Sequence, residues 1–192
     1  MRMIKLLLFA SLFLCQPAWS AQFARPDGDF ATNGWTVSGG GNLFEAIDET
    51  SPADADFIEE TTPPFPGFGS AYQVTLSNVT DPVSSSDHRI RYRVRKDNNN
   101  TPIDFQIELR QGTSLIAGFI QNNVSNGFTT LTHLLSGTQA NNITDYNNLR
   151  LYIYVRDPDE GESTDGEVSW AEFEVPDAPA AGAGQIIRII IE

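Results

Sequence analysis

The residues best suited to chemistry in this chain are arginines and tyrosines set at alternate positions. In His88-Arg89-Ile90-Arg91-Tyr92-Arg93-Val94-Arg95-Lys96 the guanidinium groups alternate with Ile90, Tyr92 and Val94. Leu149 to Arg156 repeats that code, with Arg150, Tyr152, Tyr154 and Arg156 set between Leu149, Leu151, Ile153 and Val155. Ile103 to Arg110 is built the same way, with Phe105, Ile107 and Leu109 on one side and Asp104, Gln106, Glu108 and Arg110 on the other. Planar guanidinium forks bind carboxylates, sulfates and sugar hydroxyls bidentately, and tyrosine offers a flat apolar body with a polar tip. If these runs share one sheet face, Arg91, Arg93, Gln106, Glu108, Arg150, Tyr152 and Tyr154 form a ligand-binding set suited to a glycan, particularly an acidic one. Two plainer uses of the same residues stand beside that one. The face is solvated and its arginines pair across strands with Asp104 and Glu108, or another segment or subunit covers it.

A second group of side chains is acidic. Asp48, Glu49, Asp54 and Asp56 fall close together, as do Asp157, Asp159, Glu160 and Glu162. Calcium takes six to eight oxygens, which loop carboxylates supply readily, so Asp54 and Asp56 are the candidate ligands of a structural calcium. A solvated acidic turn is the plainer reading, and neither stretch has EF-hand spacing. Ser84-Ser85-Ser86-Asp87-His88 gathers a hydroxyl, a carboxylate and an imidazole. Adjacency in a loop is not triad geometry and no nucleophile elbow is present, so no catalytic residue is assigned. His133, in a threonine-rich run, reads as packed or exposed.

Strict alternation is what a strand needs to send one set of side chains inward and the other outward. Arg89 to Lys96 and Ile103 to Arg110 therefore read as strands. The turn-forming cluster Asp97-Asn98-Asn99-Asn100-Thr101-Pro102 most simply joins them as an antiparallel hairpin. Further strands are expected at Tyr72 to Leu76, Phe128 to Leu135 and Val168 to Val175, and a short one at Leu43 to Ile47. The apolar run Ser114 to Gln121 suggests a strand buried on both faces. Ser136 to Asn148 reads as a connection with a helical turn, and Thr61 to Ser70, rich in Pro, Gly and Phe, as an ordered loop. Trp35 is a core anchor or, on the sharper reading, a sugar platform. Many short strands separated by turn chemistry, with almost no helical periodicity, predict an all-β fold: a single antiparallel β-sandwich of jelly-roll type.

The ends of the chain differ from its middle. A basic start, the apolar run Leu6 to Leu14 and Ala18-Trp19-Ser20 mark residues 1 to 20 as a cleaved export signal. Residues 21 to 176 form the sandwich domain, 177 to 185 a Pro/Ala/Gly linker and 186 to 192 a C-terminal strand, Ile-rich and able to dock in its own sandwich or on a neighbour's edge. The address is secreted or periplasmic, with no membrane insertion after cleavage. The one cysteine and both methionines lie in the signal segment, so the remainder has no disulfide or thiolate chemistry. The signal segment also carries two basic residues and no acidic one, so its removal takes the formal net charge from −13 to −15. That balance disfavours nucleic acid and anionic membrane surfaces as partners, because both repel a chain of this sign.

Gly34-Trp35, Asp48-Glu49 with Asp54-Ala55-Asp56-Phe57-Ile58, Ile90-Arg91-Tyr92-Arg93, Gln111-Gly112, Ile143-Thr144-Asp145-Tyr146 with Leu149-Arg150-Leu151, and Ser169-Trp170-Ala171-Glu172 together carry a resemblance. The chain resembles a family of β-sandwich proteins of bacteria and of tailed-phage structural gene clusters. The resemblance covers nearly all of the chain after residue 20 and implies an architecture similar to carbohydrate-binding modules, with no known active site to transfer. Three functions are open on the sequence. They are a secreted non-catalytic module binding a glycan or cell-surface polymer, a structural or assembly protein associating through its C-terminal strand, and a glycoside-active enzyme.

Overall fold

A computed structural model describes residues 20–98, 101–159 and 164–179. Among them run β1 (Ala21–Ala24), β2 (Pro26–Ala31), β3 (Thr36–Val37), β4 (Ile58–Glu60), β5 (Tyr72–Leu76) and β6 (Arg89–Lys96). They are followed by β7 (Asp104–Gln111), β8 (Ser114–Gln121), β9 (Thr129–Leu134), the short helix α1 (Gly137–Asn141), β10 (Leu149–Arg156) and β11 (Gly166–Pro176). The strands form two antiparallel sheets packed as an all-β sandwich. The first has the order β3-β4-β11-β6-β9, with β1 also paired to β11, and the second β2-β5-β10-β7-β8.

Alternation places the core. Ile90, Tyr92 and Val94 of β6 and Phe105, Ile107 and Leu109 of β7 are fully buried, as are Leu151 and Ile153 of β10. They meet Tyr72 and Val74 of β5 and Val168, Ala171, Phe173 and Val175 of β11 in one cluster, which Trp35 joins at 4% exposure. Trp35 is thus the core anchor, not a sugar platform. A bulge between Val168 and Trp170 shifts the alternation of β11, so its later inward residues are Ala171, Phe173 and Val175. Gly166 is where the sheets close most tightly, since a Cβ there would sit 2.5 Å from Val155 Cγ2.

Three expectations are corrected. β6 and β7 do not form a hairpin: β6 pairs with β11 and β9, and β7 with β10 and β8, in the other sheet. The connection between them crosses the sandwich, because a seven-residue link covers the roughly 10 Å between sheets as readily as it makes a turn. Lys96 ties the link down, its Nζ donating to Thr101 O at 2.9 Å and Asn123 Oδ1 at 3.0 Å. Leu43 to Ile47 is not a strand. Asp29 accepts from the backbone N–H of Leu43 at 3.0 Å and of Phe44 at 2.9 Å, and the chain coils into a 3-10 turn over Phe44–Ala46. Finally, β8 is an edge strand rather than one buried on both faces, with Leu115 54% and Ile120 53% exposed.

The expected helical turn is α1, held by a capping box between Ser136 and Gln139. The expected export signal as far as residue 19, residues 180 to 185 of the expected linker, the strand expected at 186 to 192, and Glu160 and Glu162 of the acidic turn lie outside the described residues. Among those that are described, no helix is long and apolar enough to cross a membrane.

Candidate functional site

The sheet orders divide the predicted ligand set. Arg91 and Arg93 belong to β6, whose polar side faces outward from the first sheet; Gln106, Glu108, Arg150, Tyr152 and Tyr154 belong to β7 and β10, on the outside of the second. The two arginine codes therefore look in opposite directions, and no single face contains all seven residues.

On the first sheet, β11 lies beside β6 and sets Glu172 and Glu174 opposite Arg91 and Arg89. Arg89 donates to Glu174 at 3.0 Å and to Asp87 at 2.9 Å, while Arg91 reaches both Glu174 and Glu172. Arg25 adds a second guanidinium to Glu172 at 2.9 Å, and Arg95 donates to Glu167 at 2.6 Å. Arg93 grips Asp54 through two bonds of 2.7 Å, and Ser169 Oγ donates to the same carboxylate at 2.9 Å. The partners of this stripe are thus acids of β11 and of the loop at Asp54; Asp104 and Glu108, expected in that role, serve the other sheet. Beneath the arginines Glu167, Glu172 and Glu174 are almost completely covered, at 3%, 2% and 8% exposure. Burial pushes Glu167 and Glu172 above the usual carboxylate range against the pull of their arginines, whereas the Arg93 hydrogen bonds hold Asp54 below it. A face so fully neutralised has few free donors to offer.

The second sheet presents a different surface. Register places Thr75, Arg150 and Arg110 in one row across β5, β10 and β7, and Gln73, Tyr152, Glu108 and Gly118 in the next. Tyr154, Gln106 and Ile120 make the third row, and Arg156 with Asp104 the fourth. Glu108 is the hub, accepting from Gln106 Nε2 at 2.7 Å, from Arg110 Nε at 2.8 Å and, more loosely, from the Tyr154 hydroxyl at 3.4 Å. Arg156 closes one end on Asp104 with bonds of 2.9 and 2.8 Å. Aromatic rings flank both ends. Phe68, from the loop between β4 and β5, stands edge-on to Tyr154 at 6.3 Å with Arg156 at 4.6 Å over it; Phe30 of β2 has the Arg150 guanidinium 3.7 Å from its centroid.

Several polar groups on this face are unspent. The Tyr152 hydroxyl, the Gln73 amide and the Arg150 guanidinium make no hydrogen bond among the described residues, whose ion pairs and hydrogen bonds elsewhere are dense. Half-exposed Phe30, Leu115 and Ile120 lie around them. Gly118 brings the backbone of β8 close to Glu108, because a Cβ there would already stand in van der Waals contact with Glu108 Cγ at 3.4 Å and Leu115 Cδ1 at 4.0 Å. Donors beside flat and aliphatic surface suit a ligand with hydroxyls on its edges and apolar faces.

The remaining candidates are placed elsewhere. Among the described residues no three acidic, histidine or cysteine side chains gather around a point that would hold a metal, and both oxygens of Asp54 are occupied by Arg93. His88 is fully buried against Phe173, with Nδ1 2.9 Å from Ser86 O and Nε2 2.7 Å from the Tyr146 hydroxyl. A carbonyl only accepts, so Nδ1 carries the proton and Tyr146 donates to Nε2. Burial lowers the His88 pKa and pushes Tyr146 up to about 12. Asp87 turns away to Arg89, so the serine-rich loop assembles no triad. His133 stacks on Phe119 at 4.5 Å, with Nε2 3.2 Å from the Tyr92 hydroxyl, and closes the seam between edge strands β8 and β9. A polar cavity of about 430 Å³ opens at one end of the sandwich beside Gln22, Asn78, Asp81 and Tyr146, away from the second-sheet face.

Sequence reasoning missed Phe30, Phe68, Arg110 and Gly118. Arg110 lay in the same alternation as Gln106 and Glu108. Phe68 had a signal of its own, an aromatic in a Pro/Gly-rich loop too polar in backbone to be core.

No protein-family model matches the chain, and no curated protein sequence does. Among solved structures it is similar to the insecticidal delta-endotoxin Cry8Ea1 of Bacillus thuringiensis, at 15% identity and a TM-score of 0.41 over 70% of this chain. It spans 23% of that protein's length. It is also similar to a CBM4 module, at 14% identity and a TM-score of 0.41, covering 83% of this chain and 86% of the module. A third likeness is to the CBM22-1 xylan-binding domain of Xyn10C from Paenibacillus barcinonensis, at 17% identity and a TM-score of 0.39, covering 84% of this chain and 98% of the domain.

Proposed function

We propose that the chain is an exported, non-catalytic module that binds carbohydrate across the outer face of the β2-β5-β10-β7-β8 sheet. One observation carries the reading. Gln73 and Arg150 hold hydrogen-bonding groups with no partner among the described residues, next to the exposed Phe30, Leu115 and Ile120, while Tyr152 lies beneath the Arg110 guanidinium at 4.7 Å. A pyranose ring has the matching chemistry, with hydroxyls around its rim and C–H groups on its faces. Gln106, Glu108 and Arg110, which hold one another, form a floor whose geometry is fixed before any ligand arrives, so little ordering entropy is lost on binding. The opposite face is paired internally and serves stability.

Affinity electrophoresis of residues 21–192 through gels containing soluble plant, algal and bacterial polysaccharides tests this. At least one polysaccharide retards the protein. Tyr154→Ala and Gly118→Trp, the second setting a bulky ring on the outer face beside Glu108, abolish the retardation, while Arg93→Ala on the other sheet leaves it intact. Retardation by no polysaccharide, or retention undiminished by both second-sheet variants, overturns the proposal.

A further inference from the structure

Resting on that carbohydrate reading, we infer that Arg150 recognises an anionic group of the ligand, so that the bound polymer is an acidic polysaccharide bearing sugar carboxylates or sulfate esters. The inference starts from the ion pairs. Among the described residues, Arg25, Arg89, Arg91, Arg93, Arg95, Arg110 and Arg156 each pair with a carboxylate, and Arg150 does not. Its cross-strand neighbour on β7 is Arg110, a like charge directly opposite, which a sheet disfavours. Arg110 is compensated by Glu108 and by Thr113 O at 3.0 Å. On the other side the neighbour is Thr75, whose hydroxyl donates to Asp27 at 2.6 Å, and Asp27 makes no ion pair with Arg150. A guanidinium set beside another, without an acid of its own, works against the fold, and such local conflicts mark functional positions.

The placement of Arg150 also suits capture of an anion. Its guanidinium is held on the exposed Phe30 ring at 3.7 Å, so its position is set by stacking rather than by hydrogen bonds. All its N–H donors therefore remain available to a planar or tetrahedral oxyanion, which the fork matches bidentately. Long-range repulsion between a polyanion and a chain of formal charge −13 is screened beyond about 8 Å at physiological salt. Recognition thus rests on the local contact. The anionic group sits at the Phe30 end, and the neutral part of the sugar runs over Arg110, which covers the Tyr152 ring, and past Tyr154 toward Phe68.

The test compares charged polymers with their neutralised forms: polygalacturonate against its carboxyl-reduced galactan, and carrageenan against its desulfated form. Binding is measured by calorimetry for the wild type, Arg150→Gln and Arg150→Lys, each checked for an unchanged unfolding transition. The wild type binds one charged polymer at least tenfold more tightly than its neutral counterpart. Arg150→Gln removes that preference, and Arg150→Lys, which keeps the charge but loses the fork, restores only part of it. Preference for polygalacturonate assigns a carboxylate, and preference for carrageenan a sulfate. Equal binding to charged and neutral forms, or a preference that survives Arg150→Gln, overturns the inference and leaves the carbohydrate reading standing. Binding to no member of either pair, when the panel of neutral polysaccharides also fails, overturns both.

Discussion

β6 and β10 carry the same code, arginine or tyrosine alternating with an aliphatic or aromatic core residue, yet their outer faces have opposite fates. Beside β6 lies β11, which brings Glu167, Glu172 and Glu174, and every arginine of the stripe is consumed by a carboxylate. β10 lies between β5 and β7, which bring Gln73, Thr75, Gln106, Glu108 and Arg110, and one guanidinium, one amide and one phenol are left over. The chemistry of a sheet face is therefore decided by the neighbouring strand as much as by the strand that carries the reactive residues. On the first face every arginine of the stripe is spent on an ion pair, while on the second a guanidinium, an amide and a phenol have no partner among the described residues.

The largest effect that separates the faces is Glu172→Ala. It strips the shared partner from Arg25 and Arg91 at a site 2% exposed; both guanidinium groups keep access to solvent, so the cost is that of hydrogen bonds to a charged group, about 2 kcal/mol. Urea unfolding should show that loss with polysaccharide affinity unchanged. A variant that binds more weakly but unfolds normally would reverse the assignment of the two faces. Tyr154→Ala is the matching experiment on the open face. Losing the ring that lines the floor beside Phe68 should weaken binding about tenfold, close to 1.4 kcal/mol. Its unfolding free energy should fall by less than that of Glu172→Ala.

Much of this was legible in the sequence, for reasons that also explain what was not. Alternation fixes which side of a strand is inward, so Ile90, Tyr92, Val94, Leu151 and Ile153 could be placed in the core without knowing any neighbour. It says nothing about which strand lies alongside. The partners in the first sheet are far apart in the chain, with Arg93 and Asp54 separated by 39 residues and Arg95 and Glu167 by 72. The link from Asp97 to Pro102 has turn chemistry, which serves a crossing between sheets as well as a hairpin. Phe30 and Phe68 were harder to place for a different reason. They lie in Pro26-Asp27-Gly28-Asp29-Phe30 and Pro66-Gly67-Phe68-Gly69, where turn residues mask both the strand β2 and the loop that bends over the site. Leu43 to Ile47 shows the limit of short apolar runs, since the Asp29 carboxylate decides its conformation from 14 residues away.

The Asp54–Arg93 pair gives a smaller effect with a pH signature. Asp54 has its pKa lowered chiefly by the Arg93 hydrogen bonds, so its contribution is fully present above the unfolded value of about 3.9 and fades as pH falls through the folded value. With the Asp54 side chain 41% exposed, the pair is worth about 0.5 kcal/mol after solvent screening. Asp54→Asn should therefore unfold slightly more easily than wild type at pH 7, and the gap should shrink below about pH 4. A gap that persists unchanged at lower pH would mean that the bond to Ser169, and not the ion pair, is what Asp54 contributes.

The smallest effect is the most discriminating. If the second-sheet arginine contributed to the fold as its counterparts on β6 do, Arg150→Gln would destabilise the protein. The structure predicts otherwise. Stacking on Phe30 contributes about 0.5–1 kcal/mol at an exposed site, and relief of the like charge at Arg110 returns a comparable amount. The two nearly cancel, so the unfolding free energy of Arg150→Gln should stay within about 0.5 kcal/mol of wild type. Arg91→Gln should cost more, because it leaves part of the nearly buried Glu172 and Glu174 uncompensated. Urea melts of the two variants side by side decide it: a loss at Arg150 equal to that at Arg91 would make both faces structural.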